Sequence, residues 1–145
     1  MIAMTLREIA HAMGTEVHRD LAGTRAFRVT TDSREAGPGD VFFAIRGDRF
    51  DGHRFVGEAL KRGAVAGVCG RSHKGEIGLE GPSARHCLWV DDTVVALGAL
   101  ASHYRRAVLP VWSIVIAVTG SNGKTTTKRM IDHVLSVALT GTSSP

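Results

Sequence analysis

The chain has 145 residues, enough for one domain with its own hydrophobic core and too few for two full domains. Its hydrophobic fraction of 43% fits a folded globular protein and argues against disorder, whereas its longest apolar run, residues 111–118, is too short to cross a bilayer. The net charge of +4 includes no basic run interleaved with aromatic residues, so we expect small anionic ligands, and neither nucleic acid nor a membrane as a partner.

The opening segment predicts an amphipathic helix. Thr5 and Glu8 have the spacing of a capping box, and apolar residues on one helical face follow until Gly14. This N-terminus lacks a basic stretch followed by a long apolar core, which is the pattern of a secretory signal, so we expect a cytoplasmic protein.

Strands and helices then alternate along the chain. The predicted strands are residues 27–31, 41–45, 64–69, 87–90 and 112–118. The further predicted helices are residues 51–62 and 92–107, the first capped by Asp51 and the second by Asp92. Residues 70–86 are rich in glycine, serine and charge and predict a loop. This alternation predicts an α/β domain over residues 1–110, with residues 111–145 beginning a second domain.

The cysteines and histidines are the side chains to test for a metal site. Cys69, His73, His86 and Cys87 supply four potential zinc ligands. His86 and Cys87 are adjacent on a predicted strand, however, so they point to opposite faces and do not converge on one metal. We therefore expect two buried, reduced thiols and no zinc site, and no histidine pair has the spacing of ligands on one helix.

Two polar segments leave alternative interpretations open. Residues 30–34, Thr-Thr-Asp-Ser-Arg, end a predicted strand, where hydroxyl groups and a guanidinium can contact a phosphate or the edge of a nucleobase. They can equally form a turn in which Asp32 and Ser33 bond the local backbone. Residues 47–53, Gly-Asp-Arg-Phe-Asp-Gly-His, lie between a strand and a helix, and their chemistry alone favours a capping turn with a solvated arginine.

Residues 116–128 carry the clearest chemical pattern. An apolar, β-branched stretch leads into Gly120-Ser121-Asn122-Gly123-Lys124-Thr125-Thr126, and a helix-compatible segment follows. Glycines let backbone amides approach the phosphates of ATP, Lys124 can bridge those phosphates, and Thr125 can ligand Mg²⁺. The usual pattern Gly-x-x-x-x-Gly-Lys-[Ser/Thr] would have glycine at Val118. We expect the opening strand, loop and helix of an ATPase domain and not a complete one.

In this order, the motifs resemble the N-terminal part of the Mur ligase family. The resemblance rests on four segments: Thr31–Arg34, Pro38–Ala44, Gly47 with Asp51-Gly52-His53, and Gly120–Lys128. It covers essentially the whole chain. Within the family, Lys128 and the opening Met4-Thr5-Leu6-Arg7-Glu8-Ile9-Ala10 favour the ligase that adds D-alanyl-D-alanine over the ligase that adds the third amino acid.

The resemblance implies a three-domain, ATP-dependent ligase of peptidoglycan synthesis. This chain would hold its small N-terminal domain, a mixed sheet with flanking helices, and the start of a truncated ATPase domain. In such ligases the first domain holds the UDP end of UDP-N-acetylmuramoyl-peptide. The residues that the resemblance places near the uridine or diphosphate are Thr31, Ser33 and Arg34, with Asp48, Arg49 and Phe50 in the facing loop.

The family reaction converts the terminal carboxylate of the peptide to an acyl phosphate, which the amine of D-alanyl-D-alanine attacks. Since later parts of the family pattern are missing from this chain, we expect no ligation by the chain alone. We expect residues from about 111 onward to dock on the first domain, pair with another copy through the unpaired strand 112–118 or be poorly ordered. Two alternatives remain: a fragment of the ligase that adds the third amino acid, and a non-catalytic module that binds a UDP-sugar or nucleotide.

Overall fold

The computed structural model describes residues 4–48, 50–78 and 81–141, with the backbone alone for residues 81 and 82. The chain divides into two units, Met1–Pro110 and Val111–Pro145. The helices are α1 (Leu6–Ala12), α2 (Val56–Lys61), α3 (Thr93–His103) and α4 (Lys124–Leu135), of which only α4 lies in the second unit. Over the described ranges, no helix has the length and apolar character needed to span a membrane.

Two sheets organise the first unit. Strands β1 (Met4–Thr5) and β2 (Arg25–Ala26) form a short antiparallel pair. The second sheet contains four parallel strands in chain order: β3 (Arg28–Thr30), β4 (Asp40–Phe43), β5 (Ala66–Gly70) and β6 (Cys87–Val90). The predicted α/β class is confirmed, although the antiparallel and parallel pairings lie in separate sheets instead of one mixed sheet.

Both faces of the parallel sheet are buried, as parallel strands require. Val41 and Phe43 of β4 pack in a cluster with residues of α1 and α3, whereas Phe42 lies in a second cluster with residues of α2. Cys69 and Cys87 are both free thiols in this second cluster, which confirms the prediction of buried, reduced cysteines. Because both faces of the sheet are covered, a ligand can approach the strands at their carboxyl ends.

Side-chain caps begin the helices where the sequence predicts them. The capping box of Thr5 and Glu8 is present, and the Asp92 carboxylate accepts backbone amides at the start of α3. Asp51 also caps as predicted, but a 3-10 turn over Gly52–Phe55 precedes α2. A π-helical turn over Tyr104–Val108 continues α3 to the predicted end. Short 3-10 turns at Arg71–His73 and Gly81–His86 occupy much of the predicted loop.

In the second unit, the prediction of a strand over residues 112–118 is wrong. Residues 111–118 have no regular secondary structure, and Trp112 and Ile114 are 79% and 75% exposed. Strand structure requires backbone hydrogen bonds to a neighbouring strand, and no described residue forms a ladder with this segment. The apolar residues indicate side chains suited to a strand, but they do not indicate whether a neighbouring strand is available for pairing.

Candidate functional site

A surface pocket opens at the carboxyl edge of the parallel sheet. Its lining residues follow β3 and β4 in the chain: Thr31, Ile45, Gly47, Asp48 and Phe50. Its volume is about 470 Å³, and the aromatic ring of Phe50 is largely exposed. Ligands of open α/β sheets bind outside the carboxyl ends of the strands, so this pocket is the candidate binding site of the first unit.

The pocket loop, which the structure describes at residues 46–48 and 50, is closed by backbone hydrogen bonds. The Gly47 amide donates to the Phe50 carbonyl at 2.8 Å, and the Gly52 amide donates to the Ile45 carbonyl at 3.0 Å. A methyl group on Gly52 would lie 2.8 Å from both the amide nitrogen and the carbonyl oxygen of Ile45. Glycine at position 52 therefore allows the two ends of the loop to approach each other.

The turn after β3 is held by its own side chains. Two guanidinium nitrogens of Arg34 donate to the Asp32 carboxylate, with Nη2–Oδ2 at 2.6 Å, and the Arg34 amide donates to Oδ1 at 2.9 Å. The hydrogen bonds from Arg34 lower the pKa of Asp32 to about 2. For Asp32, the structure therefore agrees with the interpretation of residues 30–34 as a turn. The Arg34 side chain is 80% exposed.

The structure brings together some of the sequence-predicted site residues and not others. Thr31, Asp48 and Phe50 line one pocket although 17 to 19 positions separate the first from the other two. Ser33 is buried in the turn, and neither it nor Arg34 is among the lining residues. Arg49 lies outside the described residues.

A cluster that sequence reasoning missed adjoins the pocket loop: Asp51, His53 and His73. The His53 imidazole Nδ1 lies 2.6 Å from the Asp51 carboxylate, and its Nε2 accepts a hydrogen bond from the Gly70 amide at 2.9 Å. Because Nε2 is the acceptor, Nδ1 carries the proton and donates to Asp51. Burial raises the pKa of Asp51, but hydrogen bonds from the amide and imidazole of His53 outweigh it, so this pKa lies below its ordinary value.

These three side chains are of metal-ligating types, yet their arrangement does not suit a metal ion. The potential ligand atoms lie within 4.8 Å of one another. The imidazoles of His53 and His73 are stacked, however, with centroids 3.8 Å apart and planes 8° from parallel, so their in-plane lone pairs do not converge. Both nitrogens of His53 also already have partners. We therefore interpret the cluster as a hydrogen-bonded support for the loop.

The second unit contains the loop over residues 120–123 and the helix α4 that follows it. Gly123 has φ of 74°, a left-handed conformation that glycine adopts readily, and directly precedes α4. The Lys124 ammonium reaches back to donate to the Gly120 carbonyl, which places its charge over the loop. Thr125 lies in the first turn of α4, and that turn contains no acidic residue to oppose an anion. This arrangement fits nucleotide phosphates and a divalent cation beside the Thr125 hydroxyl.

The first unit matches a family model. The model described as "Mur ligase family, catalytic domain" matches residues 27–105. The matched stretch contains the pocket, the pocket loop and the Asp51–His53–His73 cluster, and it ends before the loop over residues 120–123.

Named relatives extend the similarity along the chain. The UDP-N-acetylmuramoyl-tripeptide--D-alanyl-D-alanine ligase of Bacillus subtilis is 39% identical over 93% of this chain and 28% of its own length. Ligases named for L-alanyl-D-glutamate and 2,6-diaminopimelate are also among the relatives. The chain spans about 28% of the length of the first of these curated relatives.

Solved structures show the same similarity. A crystal structure of MurF from Acinetobacter baumannii has a TM-score of 0.74 and 34% identity, covering 95% of this chain and 28% of that one. MurF from Thermotoga maritima in complex with ADP has a TM-score of 0.59 and 33% identity, covering 81% of this chain and 25% of that one.

Proposed function

This chain belongs to the Mur ligase family, and we propose that it is the N-terminal part of an ATP-dependent ligase that adds D-alanyl-D-alanine to UDP-N-acetylmuramoyl-tripeptide. Residues 1–110 would bind the UDP end of the substrate, and residues 111–145 would begin the ATP-binding domain. The observation that carries the proposal is the meeting of Thr31, Asp48 and Phe50 in one pocket at the carboxyl edge of the sheet.

The pocket has the chemistry to bind a uridine. The exposed ring of Phe50 offers a face on which a base can stack. The Asp48 carboxylate can accept a hydrogen bond from the imide N–H of uracil, a donor that cytosine lacks at the same position. The Thr31 hydroxyl can donate to or accept from the base or the ribose.

The diphosphate would lie beside the turn after β3. Arg34 and Ser33 are on this turn, and the Arg34 guanidinium is exposed while it pairs with Asp32. A guanidinium can bind an oxyanion through two parallel hydrogen bonds. We place Ser33 and Arg34 on the diphosphate side of the ligand and propose that Arg49 adds a second cation.

We propose that the loop over residues 120–126 binds ATP with Mg²⁺. Backbone amides at Gly120, Ser121, Asn122, Gly123 and Thr126 would surround the phosphates. Lys124 would bridge phosphate oxygens, and the Thr125 hydroxyl would ligand Mg²⁺. The metal would supply neutralisation of phosphate charge. The left-handed Gly123 and the position of the Lys124 ammonium support this assignment.

The reaction that we propose for the whole ligase has two steps. The terminal carboxylate of the peptide attacks the γ-phosphorus of ATP, giving an acyl phosphate and ADP. The amine of D-alanyl-D-alanine then attacks the carbonyl carbon, forming the amide and releasing inorganic phosphate and a proton. The acyl phosphate is needed because oxide is too poor a leaving group for direct attack. Lys124 would stabilise the charge on the phosphoryl group during its transfer.

We further propose that these 145 residues do not ligate by themselves, since they span about 28% of the length of the Bacillus subtilis ligase. A ligase that adds 2,6-diaminopimelate is the alternative that the relatives support. A non-catalytic module for a UDP-sugar or nucleotide is a second one, because binding of UDP alone would not require the ATP site.

Calorimetric titration tests the proposed function of the pocket. We expect UDP to bind the chain more tightly than CDP, and Asp48→Ala to remove this preference. Asp20→Ala, which changes another exposed carboxylate of the first unit, is the matched control and should bind UDP normally. Equal affinity for UDP and CDP in the unsubstituted chain would contradict the role of Asp48, and no binding of either would contradict a uridine site.

A further inference from the structure

The pocket loop is followed directly by a residue whose side chain is fixed. Asp51 comes immediately after Phe50, and its Oδ1 accepts hydrogen bonds from the His53 amide at 3.0 Å and from the His53 imidazole at 2.6 Å. The Asp51 side chain is 27% exposed, so most of its surface is shielded from solvent. The C-terminal end of the pocket loop is thus held by His53.

His53 in turn is held by the parallel sheet. Its side chain is only 5% exposed, and its Nε2 accepts the amide of Gly70, the last residue of β5. β5 lies between β4 and β6, so Gly70 belongs to an interior strand of the sheet. Two hydrogen bonds in series therefore connect the Asp51 carboxylate with the buried core.

His73 completes the arrangement from a third element, the 3-10 turn Arg71–His73 after β5. Its ring stacks on that of His53, its Nε2 lies 3.5 Å from the second oxygen of Asp51, and its side chain is 12% exposed. Its Nδ1 lies 3.0 Å from the Ser72 hydroxyl. His73 thus contacts both residues that hold the loop, and it is not among the residues that line the pocket.

We propose that His73 is a positioning residue for the ligand of this pocket. By covering His53 and contacting Asp51, it keeps the pocket loop in the conformation in which Asp48 and Phe50 face the pocket. A loop without this support would have to be ordered when the ligand binds, and that ordering reduces affinity. The inference rests on the proposed uridine site, because it assigns an indirect role in binding at that site.

The test compares His73→Ala with His86→Gln in the full chain. His86 is a half-buried histidine of the same unit whose Nδ1 lies 2.8 Å from the Val65 carbonyl, outside the loop and the cluster. UDP affinity is measured by titration well below the unfolding temperature, so that a change in global stability alone does not alter it. Hydrogen exchange of the Gly47 amide, which donates within the loop, reports loop order without any ligand.

We expect His73→Ala to weaken UDP binding about fivefold, which corresponds to about 1 kcal/mol, and to speed exchange at Gly47. His86→Gln should change neither. Unaltered exchange at Gly47 in His73→Ala would overturn the inference, whatever happens to affinity. If the unsubstituted chain does not bind UDP, the proposed function fails and the inference fails with it. If the unsubstituted chain binds UDP but His73→Ala binds it equally well, the proposed function stands and the positioning role is overturned, even where exchange at Gly47 is faster.

Discussion

The Nε2 atom of His53 accepts a hydrogen bond from the Gly70 amide at 2.9 Å across 17 positions of sequence. This bond is buried, and it joins the turn after the pocket loop to the carboxyl end of β5. The site of the first unit is therefore built where the ends of three parallel strands meet: Thr31 follows β3, the loop follows β4, and the supporting histidines contact the end of β5.

Replacing His53 tests how much this bond stabilises the fold. His53→Leu removes the acceptor for a buried amide and the donor to Asp51, so the free energy of unfolding should fall by about 1–3 kcal/mol. His53→Gln, whose side-chain oxygen can reach the position of Nε2, should lose less. Urea denaturation of the three chains gives the comparison. Equal stability of His53→Leu and the unsubstituted chain would show that the Gly70 bond contributes nothing.

Asp40 should make stability depend on acidic pH. Its carboxylate accepts hydrogen bonds from Nε and Nη2 of Arg28 at 3.0 and 2.6 Å. These hydrogen bonds hold the pKa of Asp40 below its ordinary value despite burial. A carboxyl whose pKa is lower in the folded than in the unfolded chain stabilises the fold above the unfolded pKa of about 3.9. That contribution is lost as the pH falls through the folded pKa.

The variant Asp40→Asn isolates this contribution. It should be less stable than the unsubstituted chain at pH 7, and the difference should shrink as the pH falls below about 4. Urea denaturation at pH 7, 4 and 3 measures both curves. Curves that stay parallel from pH 7 to pH 3 would show that ionised Asp40 does not stabilise the fold.

A methyl group should be tolerated at one glycine and not at another. Gly52→Ala places a methyl 2.8 Å from backbone atoms of Ile45, so the loop must shift, and we expect lower stability and weaker UDP binding. Gly98→Ala lies within α3, where a methyl would meet nothing within 4 Å. It should raise stability by about 0.5–1 kcal/mol. Thermal unfolding checks both, and a stabilising Gly52→Ala would contradict the close approach.

Lys124→Ala should separate the two proposed binding sites. Loss of one charge-assisted contact typically corresponds to about 1.5–3 kcal/mol, so affinity for Mg-ATP should fall about 10- to 150-fold. UDP binding should not change, because the described residues that line the pocket belong to the first unit. Calorimetry with each ligand decides, and Lys128→Ala is the control for loss of one positive charge. Normal Mg-ATP binding by Lys124→Ala would contradict the proposed role of the loop.

The apolar segment 112–118 should promote self-association. Trp112, Ile114 and Val115 are 79%, 75% and 54% exposed, and exposed apolar surface of this kind favours contacts with other copies. We expect the sedimentation coefficient to rise with protein concentration and Ile114→Lys to reduce that rise. Val94→Lys, at an exposed valine of α3, is the control. A chain that stays monomeric at all concentrations would contradict self-association.

The sequence predicted local structure better than long-range contacts. The caps at Thr5 and Asp92 depend on residues within one helical turn, and both were predictable from spacing alone. His53 and His73 are 20 positions apart, and no local spacing pattern predicts that their side chains meet. Their stacking depends on the register of β4 and β5, which only the folded sheet determines.

The same distinction applies to the site residues. The family resemblance suggested that Thr31, Asp48 and Phe50 belong to one binding site. Residue chemistry alone favoured a capping turn with a solvated arginine for the loop. That turn does exist around Asp51, and the pocket arises because parallel pairing places the ends of β3 and β4 side by side. The strand 112–118 failed for the related reason that its pairing partner cannot be read from its own sequence.

The most direct test of the uridine site is backbone amide NMR during titration with UDP-N-acetylmuramoyl-tripeptide, followed by a separate titration with Mg-ATP. We predict that the first ligand shifts the amides of residues 31–34 and 48–50 and that the second shifts those of residues 120–126. If residues 31–34 and 48–50 do not respond to the first ligand while residues 120–126 respond to Mg-ATP, the first unit does not bind the UDP end of the substrate.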